Sequence, residues 1–294
     1  NIEIDGHILS HYLSILNRKS RGTGLVFAVC EDYNGRCEKT AGRAAEKNAF
    51  YMGGHTMKII DAHFHLFPDS PYMQERLREV GHDGGEAELL GCWEQLDIVH
   101  GVMMSNGPLD VERHRHDTRV SYCIGLDSGC LAEYPDPAEA MALVEENLKQ
   151  PRCVGIKLYP GYSYQYISDA MYTPCYELAR KYGKPVAVHM GQTAVSRAKL
   201  KYSHPLTLDE VAADWPDVQF VMCHFGNPWL MDAAAVVEKN ENVAADLSGL
   251  LEGKFDVPEF LEEQSGYIST LKTWLAYIRD YDKLMFGTDW PLAN

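Results

Sequence analysis

Two histidines follow an aspartate at the end of a short apolar run, in the segment Asp61-Ala62-His63-Phe64-His65. If this run is a strand, residues two apart point to the same side, so His63 and His65 would converge. Imidazole nitrogens are frequent ligands of Zn²⁺ and related ions. The same spacing also arises from two unrelated histidines, one of them a hydrogen-bonded core residue. The pair alone therefore indicates a metal site without establishing one.

Three more polar residues of this kind end later apolar runs: His189, His224 and Asp289. Each is followed closely by Gly, Trp or Pro, which mark the end of a strand. In a parallel barrel the carboxyl ends of all strands meet at the mouth, where catalytic residues gather. Four histidines and an aspartate collected there favour a divalent metal centre, with zinc as the default ion.

The elements that must position these residues alternate between apolar runs and amphipathic segments from Met57 onward. The runs are nearly continuous, which is typical of parallel strands covered on both faces. The predicted strands span 57–63, 98–105, 120–127, 153–160, 184–191, 218–226, 242–249 and 283–291. Eight strand–helix units over about 240 residues predict an α/β fold, the (β/α)8 TIM barrel. A doubly wound open sheet is the main alternative, but no glycine-rich phosphate loop follows the first strand.

Helix ends are signalled between these strands. Asp136-Pro137 supplies an N-cap and a proline at the first helical position. Gly183 is a typical residue beyond the end of a helix predicted over 169–182. Thr207 is predicted to open a capping box with Glu210.

Residues 1–56 stand apart from this pattern. They hold seven Lys/Arg and six Asp/Glu, whereas residues 57–294 hold 20 and 36 and so carry the acidic balance. The chain begins with Asn, and Met57 resembles a natural start, so 1–56 is an unassigned segment, of foreign or mis-started origin in one interpretation. Its stretch 8–19 could form an amphipathic helix. The predicted barrel is 57–294, without its last helix, since the chain stops five residues after Asp289.

Composition bounds the class of protein. The 294 residues are 46% apolar and 23% charged, as in globular proteins, and the net charge is −15. So negative a surface repels phosphate backbones and anionic lipids, which predicts a small-molecule substrate and neither nucleic acid nor membrane as partner. The eight cysteines are spaced singly, which predicts a reduced, cytoplasmic protein. A homo-oligomer is left open.

From Met57 to the end, the chain resembles the amidohydrolase superfamily, and most closely its amidohydrolase-related (amidohydrolase 2) branch. The matching marks are DAHFH, GIKLYP, VHMG, CHFG and FGTDWP, in the right order. The resemblance implies that His63, His65, His189 and Asp289 bind one metal ion. It also implies that His224 either binds a second metal or polarises the substrate and the attacking water.

Lys157 interrupts the apolar run CVGIKLYP. It is either a lysine paired with an acid in the barrel mouth or a carbamylated lysine that bridges two metals. The segment KLYP also resembles the dihydroorotase lysine motif. The resemblance therefore keeps open a two-metal site with Lys157 and His224 as additional ligands.

The reaction follows from such a ligand set. A divalent metal lowers the pKa of its bound water to about 7, Asp289 can take the proton, and His224 can stabilise the developing oxyanion. This predicts hydrolysis of a C–N or C–O acyl bond in an amide, lactone or ester. The alternative is decarboxylation of a small unsaturated or aromatic acid, since the one-metal branch includes aminocarboxymuconate-semialdehyde decarboxylase. A metal-binding barrel without turnover is the third hypothesis.

Substrate contacts are predicted on the loops that follow the strands. The candidates are Tyr159, Tyr162, Gln192, Asn227 and Trp229. The alternate tyrosines of 161–166 either line an aromatic pocket or cover the helix layer. The basic run Arg113-His114-Arg115-His116, between the second and third strands, is either a positive cluster for an anionic substrate or a solvated loop.

Overall fold

The computed structural model of the protein describes residues 51–52, 55–56, 58–67, 71–134, 136–251, 253–254 and 256–292. A short antiparallel hairpin pairs Tyr51–Met52 with His55–Thr56 just before the barrel. The amphipathic helix predicted over 8–19 lies outside the described residues, as does the rest of the segment before the hairpin.

Eight parallel strands form a nearly closed barrel with helices between them, so the predicted (β/α)8 fold is confirmed. Each strand pairs with its neighbour in sequence, from the first to the eighth. The strands are β1 (Ile59–Phe64), β2 (Ile98–Met104), β3 (Val120–Leu126), β4 (Cys153–Leu158), β5 (Val186–His189), β6 (Phe220–Cys223), β7 (Val243–Asp246) and β8 (Leu284–Met285).

The barrel closes between β1 and the segment that follows the short strand β8. The Ala62 N–H donates to the Phe286 carbonyl at 2.9 Å, and the Asp289 N–H donates to the His63 carbonyl at 2.8 Å. A third bond joins the His65 N–H to the Trp290 carbonyl at 2.8 Å. The closing seam therefore carries both histidines of the first motif and the last predicted aspartate.

Helices fill the connections between the strands. They are α1 (Pro71–Val80), α2 (Glu86–Leu96), α3 (Ser128–Glu133), α4 (Pro137–Leu148), α5 (Pro160–Ser163), α6 (Thr173–Tyr182), α7 (Leu206–Asp214), α8 (Leu230–Lys239), α9 (Val257–Glu263) and α10 (Ser265–Ile278). No helix of the described part of the chain is long and apolar enough to span a bilayer.

The helix-end signals are confirmed at two of three positions. The Asp136 carboxylate accepts the Ala138 N–H at 2.9 Å, and Gly183 ends α6 with a φ of 61°, in the left-handed region that glycine enters without strain. The capping box at Thr207 is wrong, because α7 already begins at Leu206. The Thr207 hydroxyl donates instead to the His204 carbonyl at 2.8 Å.

The core has two layers. The larger layer packs the outer faces of the strands against the helices, and the smaller one fills the barrel interior with residues such as Ala62, Val102 and Cys223. Trp93 of α2 anchors the larger layer beside the site. Its ring meets the Phe64 ring edge-on at 5.3 Å, and it lies so close to β2 that a Cβ on Gly101 would come within 2.5 Å of it.

Trp93→Ala should lower the free energy of unfolding by about 3–5 kcal/mol, because it leaves a cavity against β1 and β2. Leu96→Ala is the matched control on the same helix, since Leu96 is 57% exposed, and it should change that free energy by less than about 0.5 kcal/mol. Urea unfolding measures both. Equal effects of the two substitutions would contradict the anchoring role of Trp93.

Candidate metal centre

The first group of candidate ligands gathers at the closing seam. The Nε2 atoms of His63 and His65 lie 3.3 Å apart, and each lies 3.4 Å from Oδ1 of Asp289. His63 is fully buried, and Asp289 is nearly so. Asp289 Oδ1 and His65 Nδ1 are buried and have no hydrogen-bond partner among the described residues. Three electron-pair donors therefore point at one spot.

Asp246, at the end of β7, orients this group through two hydrogen bonds. Its Oδ2 accepts a hydrogen bond from His63 Nδ1 at 2.9 Å, and its Oδ1 accepts the His224 N–H at 2.9 Å. A carboxylate can only accept here, so His63 carries its hydrogen on Nδ1 and presents the lone pair of Nε2. Burial alone would raise the pKa of Asp246, but the charge and hydrogen bond of His63 hold it well below the ordinary value.

His189 and His224 form a second pair beside the first group. Their Nδ1 and Nε2 atoms, respectively, lie 3.1 Å apart. The far nitrogens face backbone carbonyls: His189 Nε2 donates to Gln192 O at 2.9 Å, and His224 Nδ1 donates to Ser248 O at 3.1 Å. Because a carbonyl cannot donate, the two facing nitrogens both carry lone pairs in the neutral rings. The pair therefore needs a proton or a cation between its members.

The donor set fits a divalent metal ion. Two ligands that each lie about 2.1 Å from a tetrahedral ion are about 3.4 Å apart, the separation that His63, His65 and Asp289 show. Ligating histidines must be neutral. Burial, against the opposing charge of Asp246, lowers the pKa of His63 to about 3, and burial with the charge of His224 lowers that of His189 well below its usual range.

Lys157, of β4, lies close enough to the cluster for its charge to act on His63, His189 and Asp246. Its side chain is fully buried, and Nζ donates to Cys223 Sγ at 2.8 Å. The two groups of described residues whose atoms could share an ion are His63, His65 and Asp289, and His63, His224 and Asp246. His189 belongs to neither group. The structure places the Lys157 amine against the Cys223 thiol.

The backbone around the cluster adopts unusual conformations. His224 and Asp289 both have positive φ values, 60° and 58°, which cost energy in residues other than glycine. Gly249 follows β7 with a φ of 57°, and a Cβ there would come within 2.7 Å of Asp289 Oδ2 and 2.9 Å of His224 Nδ1. Glycine is thus required at position 249 for the site to close around its two predicted catalytic side chains.

Asp61 fixes the seam without belonging to the ligand group. Its Oδ1 accepts the Thr288 N–H at 3.0 Å, and its Oδ2 accepts the Thr288 hydroxyl at 2.7 Å. Full burial raises the pKa of Asp61 to about 7, even though these hydrogen bonds favour the charged form. Asp61 therefore ties the first motif to the residue just before Asp289.

The cluster opens into a cavity of about 1020 Å³ at the mouth of the barrel. Four of the five predicted substrate contacts line it: Tyr159, Tyr162, Gln192 and Asn227. The Tyr162 ring packs edge-on against His189 at 5.1 Å. Trp229 is not among the lining residues, and its ring lies 4.7 Å from that of His204. The structure thus separates Trp229 from the other four.

Sequence reasoning missed Asp246, Ser248 and Gly249, all in the segment NVAADLSG. Asp246 carried the same signal as the predicted ligands, since it is the polar residue that ends an apolar run. The cavity-lining carboxylates Glu86 and Asp127 were also missed. Asp127 ends the apolar run 120–127 and so carried the same signal, whereas Glu86 begins a helix and carried none.

The fold and the cluster define a class, a (β/α)8 barrel with a His/Asp group at its mouth able to hold a divalent metal. The family model described as Amidohydrolase, of the amidohydrolase-2 type, matches residues 60–294. The chain therefore belongs to the amidohydrolase-2 family, whose members are metal-dependent enzymes. No curated protein matches the chain.

Solved structures share the fold at low sequence identity. An uncharacterized TIM-barrel protein from Bordetella bronchiseptica is 18% identical, with a TM-score of 0.57 over 81% of this chain and 87% of its own. A 2,6-dihydroxybenzoate decarboxylase from Rhizobium is 16% identical, with a TM-score of 0.53 over 81% and 90%. A 5-carboxyvanillate decarboxylase from Novosphingobium aromaticivorans, complexed with manganese, is 12% identical, with a TM-score of 0.54 over 84% and 90%.

Asp246→Asn should weaken metal binding about 10- to 100-fold, because an amide holds the Nδ1–H of His63 less firmly and leaves the buried ligands without their counter-charge. The dissociation constant, measured by competition with a chelator, tests this. Asp214→Asn, at an exposed helix end, is the control and should bind metal as the wild type does. Wild-type affinity in Asp246→Asn would contradict the organising role.

The metal-free protein should lose stability on acidification from pH 7 to pH 5. Burial lowers the pKa of His63 to about 3 and those of His100 and His114 to about 4, so the unfolded chain takes up protons first, near pH 6.5. Asp61 opposes this, since its raised pKa of about 7 stabilises the fold increasingly as pH falls from 7 to 3.8.

Three histidines oppose the single Asp61, so we expect the free energy of unfolding to fall by about 2 kcal/mol or more between pH 7 and pH 5. The size follows from about 1.4 kcal/mol for each pH unit over which one group titrates. Urea unfolding at the two pH values measures it, and His100→Gln should make the loss smaller. A free energy of unfolding that is constant or higher at pH 5 would show that these histidines are not held neutral.

Proposed function

We propose that this protein is a metal-dependent hydrolase that uses activated water to cleave a C–N or C–O acyl bond in an amide, lactone or ester. One observation carries the proposal: His63, His65 and Asp289 present three donor atoms within 3.3–3.4 Å of one another. His65 and Asp289 line a cavity large enough for a small substrate. His63, His65, His189 and Asp289 are the proposed ligands of one ion. Lys157 and His224 would join them only in a two-ion site.

Zinc is the proposed ion. Imidazole with carboxylate suits Zn²⁺, and Mn²⁺ and Fe²⁺ also accept this set, so elemental analysis of the purified protein decides between them. We place the reaction in the reducing cytoplasm, because the cysteines are singly spaced in the sequence. The described ones that are free thiols are Cys92, Cys123, Cys153, Cys175 and Cys223.

The chain's own residues supply the proton transfer and the orientation. When bound, the ion supplies an activated water at neutral pH and polarises a carbonyl oxygen. Burial opposes ionisation of Asp289, but His224, His65 and His63 hold its pKa below the ordinary value, so the side chain is an ionised carboxylate at neutral pH. His224 is fixed through Nδ1 by the Ser248 carbonyl and directs Nε2 toward the cluster. Once Nε2 has taken up a proton, its N–H can donate a hydrogen bond to the developing oxyanion.

Decarboxylation is the second candidate, and the charge of the cavity supports it. Arg76, Arg113 and Arg197 line the cavity of a protein whose net charge is −15, which suits a substrate carrying a carboxylate. The same Asp289 could then deliver a proton to carbon. The 2,6-dihydroxybenzoate and 5-carboxyvanillate decarboxylases of similar fold act on aromatic acids of this kind.

A panel assay separates the candidate functions. Metal-loaded protein is incubated with amides, lactones and esters, and separately with hydroxybenzoic and unsaturated acids, while released acid and CO₂ are measured. Acid without CO₂ supports hydrolysis, and CO₂ supports decarboxylation. One bound equivalent of metal without turnover on any compound would leave the non-catalytic metal-binding barrel.

Asp289→Asn should keep the fold and lower the rate on the best substrate by about 10²-fold or more, because the amide cannot accept the proton. The rate constant, the thermal unfolding midpoint and the metal content are measured together. Asp214→Asn serves again as the control. A variant near the wild-type rate would defeat the assignment of Asp289 as the base.

A further inference from the structure

We infer that the loop between β2 and β3 forms an anion-binding subsite in the cavity, in which Arg113 and His116 bind a carboxylate of a small organic acid away from the metal ligands. The inference rests on the proposed function only in treating this cavity as the substrate cavity. It adds a specificity determinant on a loop that supplies none of the candidate metal ligands.

Some side chains of the basic run 113–116 line the cavity, and one points to solvent. Arg113, His114 and His116 line the cavity, whereas Arg115 does not. The Arg115 guanidinium donates to the Glu112 carboxylate at 2.6 Å, and both side chains are exposed. No described residue forms an ion pair with Arg113. Arg113 thus brings to the cavity a positive charge that is not paired with an acidic group of the described part of the chain.

One ring nitrogen of His116 is hydrogen-bonded to a carboxylate, and the other has no hydrogen-bond partner among the described residues. Its Nδ1 donates to Glu86 Oε2 at 2.9 Å, and the other oxygen of Glu86 accepts the Asp117 N–H at 2.5 Å. Both oxygens of Glu86 are therefore engaged within the protein. His116 Nε2 is buried and has no partner among the described residues, an arrangement that buried polar atoms rarely keep in the absence of a ligand or water.

Because the Glu86 carboxylate takes the Nδ1–H of His116, a proton on Nε2 would give His116 a second N–H, and that N–H can donate to an anion. The guanidinium of Arg113 shares this preference for an anion. Arg113 lies in the 3-10 turn Val111–His114, His116 follows two residues after that turn, and both residues line the cavity. A carboxylate has two oxygens and so offers an acceptor to each donor. This complementarity selects an organic anion over a neutral ligand.

The loop is pre-organised, which strengthens any site built on it. The Asn147 side-chain amide donates to the Leu109 carbonyl at 2.7 Å, and Arg152 donates to the Asp117 carbonyl at 2.7 Å. His114 is stacked on the Tyr122 ring at 4.5 Å. Burial lowers the pKa of His114 to about 4, so this ring is a neutral wall, and the charge of the subsite comes from its neighbours.

Besides Glu86, one more acidic group of the cavity wall lies next to this loop. Asp127 lines the same cavity, and its Oδ2 accepts the Gly107 N–H at 3.1 Å, at the start of this loop. Arg76 reaches across the mouth to the Ala194 carbonyl at 3.3 Å. In this loop, therefore, the Arg113 guanidinium and His116 Nε2 line the cavity without an acceptor among the described residues.

Binding of two simple probes tests the subsite without requiring turnover. Benzoate carries one carboxylate, which the metal end can take, and isophthalate carries a second on the far side of the ring. Titration calorimetry on the zinc-loaded full chain should show isophthalate binding about tenfold tighter than benzoate. Arg113→Ala and His116→Ala should each remove about tenfold from isophthalate binding and leave benzoate within about twofold.

Arg115→Ala is the matched control, since it removes the same charge from the same loop outside the cavity, and it should leave both affinities unchanged. Arg113→Lys and His116→Gln keep a donor and should recover part of the loss, which separates a ligand contact from a folding defect. Thermal unfolding midpoints accompany each variant.

Three results would overturn the subsite: no preference of the wild type for isophthalate, wild-type binding in both alanine variants, or an equal loss in Arg115→Ala. The outcome is separable from that of the proposed function. If the protein binds isophthalate more tightly than benzoate but does not hydrolyse the substrates, only the proposed function is contradicted. If it hydrolyses a substrate but binds the two probes equally, only the subsite is contradicted.

Discussion

The seam that closes the barrel determines where every other part of the site can lie. β8 has only two residues, so closure depends on the segment after it, where the Asp289 N–H bonds to the His63 carbonyl at 2.8 Å. Asp61 adds two bonds to Thr288. These bonds join positions more than 220 residues apart in sequence, and they set the last ligand beside the first two.

Burial at this seam concentrates groups that repel one another. The lone pairs of His63, His65 and Asp289 face one another, and those of His189 and His224 do the same, in a region where water cannot screen them. Asp246 is the buried charge that partly compensates, because it accepts from His63 and from the backbone of His224. Such a cluster destabilises the empty fold and favours a bound cation, so stability and metal affinity are linked.

The sequence pattern predicts the strands well because fully buried parallel strands leave continuous apolar runs, and the polar residue that ends each run lands at the mouth. The sequence pattern does not predict which side chains contact one another across the barrel. Asp246 ended a run like the others, but its role depends on its distance to His63, which no local pattern encodes. The Lys157 amine donates to Cys223, and Trp229 packs on His204 outside the cavity. Neither contact follows from the local sequence, because tertiary packing sets the direction of loop and interior side chains.

The net negative charge of the protein and the positive groups of its cavity act over different distances, so an acidic protein can still bind an acidic ligand. The net charge of −15 acts over the whole surface, but salt screens it within about 8 Å at physiological ionic strength. Inside the cavity the local groups dominate, with a divalent ion at one end and Arg113 beside the Glu86-held His116 on the wall. A small anion in the proposed subsite would therefore meet the local positive groups rather than the net charge of the surface.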